Sequence, residues 1–116
     1  MSVPVLRQGP WLIASVQEAL TDEELAQLRD DLAHRAGQAT TRAVIVDVSA
    51  LDVVDSYAAR TLSSIAQVLR LRGAETIVVG VQPEVAFAMS QLGLTLHEAR
   101  TALDLDAAIE ILGAAQ

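Results

Sequence analysis

A hydroxyl flanked by acids is the most chemically suggestive feature of this 116-residue chain. In the stretch Ser49-Ala50-Leu51-Asp52-Val53-Val54-Asp55-Ser56-Tyr57, Ser56 follows two carboxylates and stands where a helix should begin. Serine and aspartate are favoured at such starts because their oxygens accept unpaired N–H groups of the first turn. The same place offers an anion free amides and about half a positive charge, which suits a serine that receives a phosphoryl group. On the residues alone both readings stand: a capping or first-turn hydroxyl, or a site phosphorylated by a partner. A serine nucleophile is a poorer reading. No histidine is nearby in sequence, neither Asp52 nor Asp55 is an evident base for Ser56, and G-x-S-x-G is absent.

Other chemistry is weaker still. Cysteine is absent, which excludes disulfides, thiolate metal sites and cysteine nucleophiles. His34 and His97 are isolated, so no metal site is expected. Asp47, inside an apolar run, could suggest a phospho-accepting receiver domain. Such domains also need an acidic pair after the first strand and a late lysine, and this chain has no lysine. Asp47 is therefore expected to end its strand and hydrogen-bond the following loop. Neither a P-loop nor G-x-G-x-x-G occurs, so no nucleotide cofactor is expected by those routes. No catalytic residue is expected.

The elements that must position Ser56 are legible from periodicity. Val3–Arg7 and Trp11–Val16 read as two short strands around a turn at Gly9-Pro10. Thr21 and Glu24 form a capping-box pattern, and Leu25, Leu28 and Leu32 give residues 22–36 a helical stripe ending near Gly37. Ala43–Val48 is a near-continuous apolar run, as in a strand covered on both faces. The next helix begins at Asp55 or Ser56, buries Leu62, Ile65, Ala66 and Leu69, and ends at Gly73. Thr76–Val81 is another buried strand. Pro83 opens a third helix with Val85, Met89 and Leu92 inward, closed by Gly93. Leu94–His97 reads as a short edge strand. Thr101 or Asp104 caps a last helix carrying Leu105, Ala108, Ile109 and Leu112. Val44, Val46, Ile77, Val79, Leu62, Ile65 and Leu69 are expected in one core. Strands alternating with helices imply a single α/β domain, residues 1–116, with a mostly parallel sheet, an N-terminal hairpin and about four helices.

Composition narrows the class. Hydrophobic residues make up 52% and charged residues 20%, a globular balance with an aliphatic core, since Trp11, Tyr57 and Phe87 are the only aromatics. The formal charge is −7 and the arginines are scattered along the chain, so no basic stripe suits nucleic acid. The opening residues lack the pattern of a signal peptide, and no apolar run approaches the roughly 20 residues that cross a bilayer. A cytoplasmic protein with no membrane association is expected.

The stretch VIVDVSALDVVDSYAARTL resembles the signature of the STAS family (sulfate transporter and anti-sigma factor antagonist): a strand, a short acidic loop, then Asp-Ser opening a helix. Antagonists of that family are phosphorylated on this serine, so the resemblance assigns the phosphorylation to Ser56. Simple antagonists usually continue Asp-Ser-Ser-Gly or Asp-Ser-Thr-Gly, whereas here the sequence is Asp55-Ser56-Tyr57-Ala58. An aromatic after the serine is instead similar to the stressosome scaffold subunits (RsbS type). Gly73–Leu94 and Thr101–Leu112 resemble the Gln-Pro segment and closing helix of that type, so the likeness covers nearly the whole chain.

This resemblance implies a non-catalytic phospho-switch and scaffold of a bacterial stress-signalling complex. It would sequester a serine kinase of the RsbT type until phosphorylated on Ser56. The implied docking surface comprises Asp52, Val53, Val54, Asp55, Tyr57 and Arg60. Implied partners also include a phosphatase and paralogous STAS proteins with sensor domains (RsbR type), in a homo- or hetero-oligomer. The competing readings are a simple anti-sigma factor antagonist that binds an anti-sigma factor kinase, a STAS subunit of a membrane transport complex, and a small enzyme.

Overall fold

The computed structural model describes residues 3–91 and 99–114. Strand β1 (Val5–Gln8) turns at Gly9, whose φ of 60° suits glycine, and pairs antiparallel with β2 (Trp11–Ser15). Strands β3 (Ala43–Asp47), β4 (Glu75–Val79) and β5 (Arg100–Ala102) then add in parallel, giving the spatial order β1-β2-β3-β4-β5. Helix α1 (Asp22–Gln38) links β2 to β3, α2 (Ser56–Leu71) links β3 to β4, α3 (Pro83–Gln91) lies before β5, and α4 (Leu105–Ala114) follows it. The single α/β domain expected from the sequence is the one found.

Helix α1 starts where its capping box says it should. The Glu24 N–H donates to the Thr21 hydroxyl at 3.1 Å, and the Thr21 N–H donates to Glu24 Oε1 at 2.9 Å. The Thr21 backbone N–H, and after it the Thr21 hydroxyl, hold the Glu24 carboxyl below the ordinary glutamate value. The helix runs to Gln38 rather than ending near Gly37. Gly37 is not among the glycines with positive φ; it stays helical, and the Arg72 guanidinium lies where its Cβ would be. Helix α2 buries Leu62, Ile65, Ala66 and Leu69, as its period predicts, and stops at Gly73, with φ 83° and its N–H on the Arg70 carbonyl at 3.0 Å.

The expected single core is divided by the sheet. Leu12, Val44, Val46 and Val78 face α1 and α2, meeting Leu28, Leu32, Leu62, Ile65 and Leu69. Ile13, Ile45, Ile77 and Val79 point to the opposite face, where Ala108 and Leu112 of α4 cover them. Ile77 and Val79 therefore do not join the cluster of Val44 and Val46. Successive strand residues alternate in direction, and register pairs Val46 with Val78, but Ile45 with Ile77.

Strand ends also differ from expectation. The second strand ends at Ser15 and the fourth at Val79, because Gly80 turns away with φ 80°. The described edge strand is Arg100–Ala102; Leu92, Gly93, the expected strand Leu94–His97 and the Met89 side chain lie outside the described residues. Asp104, not Thr101, caps α4: its Oδ1 accepts the Ala107 N–H at 2.8 Å. Among the described residues no helix is long and apolar enough to cross a membrane.

Candidate functional site

The parallel strands all run toward one edge of the sheet, and the acidic loop leaves β3 there. Asp47 ends the strand as anticipated, its Oδ1 accepting the Ser49 N–H at 2.9 Å and the Ser49 hydroxyl at 2.6 Å. The loop is tied to its neighbours by the Val48 N–H on the Val79 carbonyl at 2.9 Å and by Gln82 Nε2 on the Ser49 carbonyl at 3.2 Å. Gly80 lies beneath Ser49. Sequence reasoning gave neither Gly80 nor Gln82 a positioning role. A glycine interrupting the run Thr76–Val81 was the available signal, since glycine in a strand pattern marks a bend or close approach.

Helix α2 opens on this braced loop. Asp55 is its N-cap: its Oδ1 accepts the Ala58 N–H at 2.8 Å, and its carbonyl accepts the Ala59 N–H at 3.0 Å. Ser56 is the first helical residue, so the cap is the carboxylate and the serine hydroxyl is left over. Ser56 as a residue is half-buried, and its hydroxyl makes no hydrogen bond among the described residues. The N–H groups of Ser56 and Tyr57 are the first-turn donors that neither cap nor helix takes up.

The neighbouring side chains divide in two. Asp52, Asp55 and Arg60 are exposed, as are Val53 at 73% and Tyr57 at 40%. Val54 is not: at 8% exposure it packs with Ala59 of α2 and Val85 of α3. Its side chain anchors the loop to both helices instead of lining a docking surface, a correction to the expected set. Two adjacent valines in a loop carry no periodicity that would tell the inward one from the outward one.

Competing hydroxyls are differently placed. Ser49 is exposed, but its hydroxyl is committed to Asp47. Thr61 is buried and donates to the Tyr57 carbonyl at 2.9 Å. Ser63 and Ser64 are half-buried, and Ser63 has a partner within the protein. His34 is exposed on α1, His97 lies outside the described residues, and among the described residues no group of three metal-ligating side chains forms.

The family model of the STAS domain matches residues 2–108. Among curated proteins of Bacillus subtilis, the chain is 34% identical over 70 residues to the uncharacterized protein YezB, covering 60% of this chain and 71% of that one. It is 25% identical over 88 residues to the RsbT co-antagonist protein RsbRA, covering 76% of this chain but 32% of RsbRA, about a third of that protein's length. Among solved structures, a serine-to-glutamate variant of RsbS from Moorella thermoacetica superposes with a TM-score of 0.84 at 28% identity, covering 97% of this chain and 96% of that one. A chain of the stressosome, described as a signal integration and transduction hub, superposes with a TM-score of 0.79 at 26% identity, covering 97% of each. With a family model spanning all five strands and the site that leads into α2, this chain belongs to the STAS domain family.

Proposed function

We propose that this chain is a non-catalytic regulatory phospho-switch and scaffold of a stressosome-type complex, holding a serine kinase of the RsbT type until phosphorylated on Ser56. The observation that carries the reading is the placement of Ser56: an unengaged hydroxyl opening α2, on a loop braced from two strands, beside a carboxylate that already caps the helix. The similarity to RsbS and to the stressosome chain supports the assembly, and the RsbRA relative supports partnership with RsbR-type paralogues. A phosphatase would reset the switch. A cytoplasmic setting belongs to the same reading.

The geometry suits a switch whose output is binding and not unfolding. A phosphate adds about −1.5 to −2 charge. Asp55 already holds the Ala58 N–H, so the phosphate would share the helix start with a carboxylate and find only the Ser56 and Tyr57 amides. The α2 dipole offsets part of the repulsion, by about 0.3–1 kcal/mol for an exposed group. The fold loses little. A partner seated on Val53, Tyr57, Arg60, Asp52 and Asp55 would meet a new dianion with its hydration shell, and docking fails.

Mixing the purified chain with an RsbT-type kinase, an RsbR-type paralogue and ATP tests this directly. Particle-size measurement should show a large assembly that retains the kinase before phosphorylation and releases it afterwards. Kinase release without phosphate on Ser56, or no assembly with the paralogue, contradicts the proposal.

A further inference from the structure

Ser56 and Arg60 stand four residues apart in α2, which places them on one face of the helix with Cβ atoms about 5–6 Å apart. Helical side chains lean toward the N-terminus, so the Arg60 guanidinium reaches back over the first turn. Arg60 is exposed and makes no hydrogen bond or ion pair among the described residues. Nor does the helix offer it an acid. Three and four residues away stand Tyr57 and Ser56 on one side, Ser63 and Ser64 on the other.

The remaining arginines lie elsewhere. Arg7, Arg35, Arg42, Arg70, Arg72 and Arg100 fall at the end of the sheet where the parallel strands start. Arg29 lies midway along α1 and pairs with Asp30 at 3.3 Å. Arg60 is therefore the one arginine near the start of α2. Arg35 shows what such a residue does when an acid stands four places earlier: its Nε lies 3.1 and 3.0 Å from the two carboxylate oxygens of Asp31. Anion first and cation four residues later is also the order that isolated helices favour. Ser56 and Arg60 have that order and spacing, and lack only the negative charge.

The inference rests on the reading of Ser56 as a phosphorylation site. We propose that Arg60 is the intramolecular receptor of that phosphate. Its guanidinium presents parallel N–H donors that match two phosphoryl oxygens, and the Ser56 and Tyr57 amides are the backbone donors beside it. Phosphorylation then changes the docking surface twice. It adds a dianion, and it withdraws the cation that a partner would have met there. A partner acid that pairs with Arg60 before the reaction has to compete with the phosphate afterwards.

The test uses the full chain with phosphoserine installed at position 56 during translation, so it needs no kinase. Failure of an RsbT-type kinase to modify Ser56 would count against the phospho-switch and leave this measurement standing. On phosphorylation the Arg60 Nε–H resonance should shift and exchange more slowly with water, while those of the other seven arginines stay in place. In a phosphorus NMR titration, the second ionisation of the phosphate should lie about 0.5 pH units lower in wild type than in Arg60→Gln, roughly a threefold change in the equilibrium constant. Asp52 and Asp55 on the loop and Glu84 of α3 oppose that ionisation in every variant alike, so the difference isolates Arg60. Arg60→Lys should keep about half of the difference, because an ammonium supplies charge without the paired donors. Arg42→Gln, at the far end of the sheet, should titrate like wild type. The proposal is overturned by an Arg60 resonance that phosphorylation leaves unmoved, by equal ionisation in wild type and Arg60→Gln, or by an equal rise in Arg42→Gln.

Discussion

Ser49 rests directly on Gly80: a Cβ added to Gly80 would stand 2.8 Å from the Ser49 Cα. Gly80 also has φ 80°, a conformation other residues adopt only with strain. Gly73, at φ 83°, has nothing within 4 Å of the same position and isolates the backbone cost. Gly73→Ala should therefore cost about 1–2 kcal/mol, and Gly80→Ala measurably more, in urea titration. Equal losses would mean that the loop yields freely and that Ser49 is not braced.

Ser56→Asp should weaken docking of an RsbT-type kinase while leaving the melting temperature nearly unchanged. The Asp55 carboxylate already caps α2, so the fold gains and loses little from one more charge. Pull-down and melting curves on one preparation decide the matter. Equal retention of kinase by both proteins would refute the docking surface.

Kinase and ATP should place phosphate on Ser56 and on no other hydroxyl in stoichiometric amount. The Thr61 hydroxyl is buried and donated, and that of Ser49 is donated to Asp47. Peptide mapping by mass spectrometry is the measurement. Phosphate mainly on Ser63 or Ser64, or full incorporation into Ser56→Ala, would overturn the site.

Ile77→Ala should cost about 2–5 kcal/mol, as for other fully buried aliphatics. Because Ile77 packs on the α4 face, its loss should couple to Leu112→Ala and add independently to Leu69→Ala on the other face. Denaturant titration of the two double variants checks this. Coupling to Leu69 instead would place Ile77 on the wrong side of the sheet.

Thr21→Ala should cost about 1 kcal/mol by removing the capping box of α1. The pH dependence follows from Glu24, whose carboxyl is held below its ordinary value by the Thr21 N–H and then the Thr21 hydroxyl. Such a group stabilises the fold at pH above its unfolded value, and the contribution disappears as pH falls through the lower, folded value. The difference between wild type and Thr21→Ala should thus narrow in acid. A difference that grows in acid would contradict the cap.

Much of this was written in local sequence. Thr21 with Glu24, the stripe Leu62, Ile65, Ala66 and Leu69, and Asp47 as a strand-end acceptor all rest on bonds or contacts within a few residues along the chain. What escaped depends on contacts far apart. Val54 turns inward because Val85, 31 residues later, lies beside it, and Gly37 stays helical with Arg72, just past the end of α2, against it. The face that Ile77 chooses follows from its pairing with Ile45, and register between strands is invisible to periodicity within either one.

The sequential strand order has a consequence for biosynthesis. Each strand pairs with the one made just before it, so a chain emerging from the ribosome can extend its sheet edge by edge without reopening it. The two faces do not close together. Helices α1 and α2 cover theirs as the strands are made, whereas Ile45, Ile77 and Val79 await α4, which follows all five strands. Until α4 is synthesised, the nascent domain exposes an aliphatic face, and that interval is when chaperone capture or aggregation would act on it.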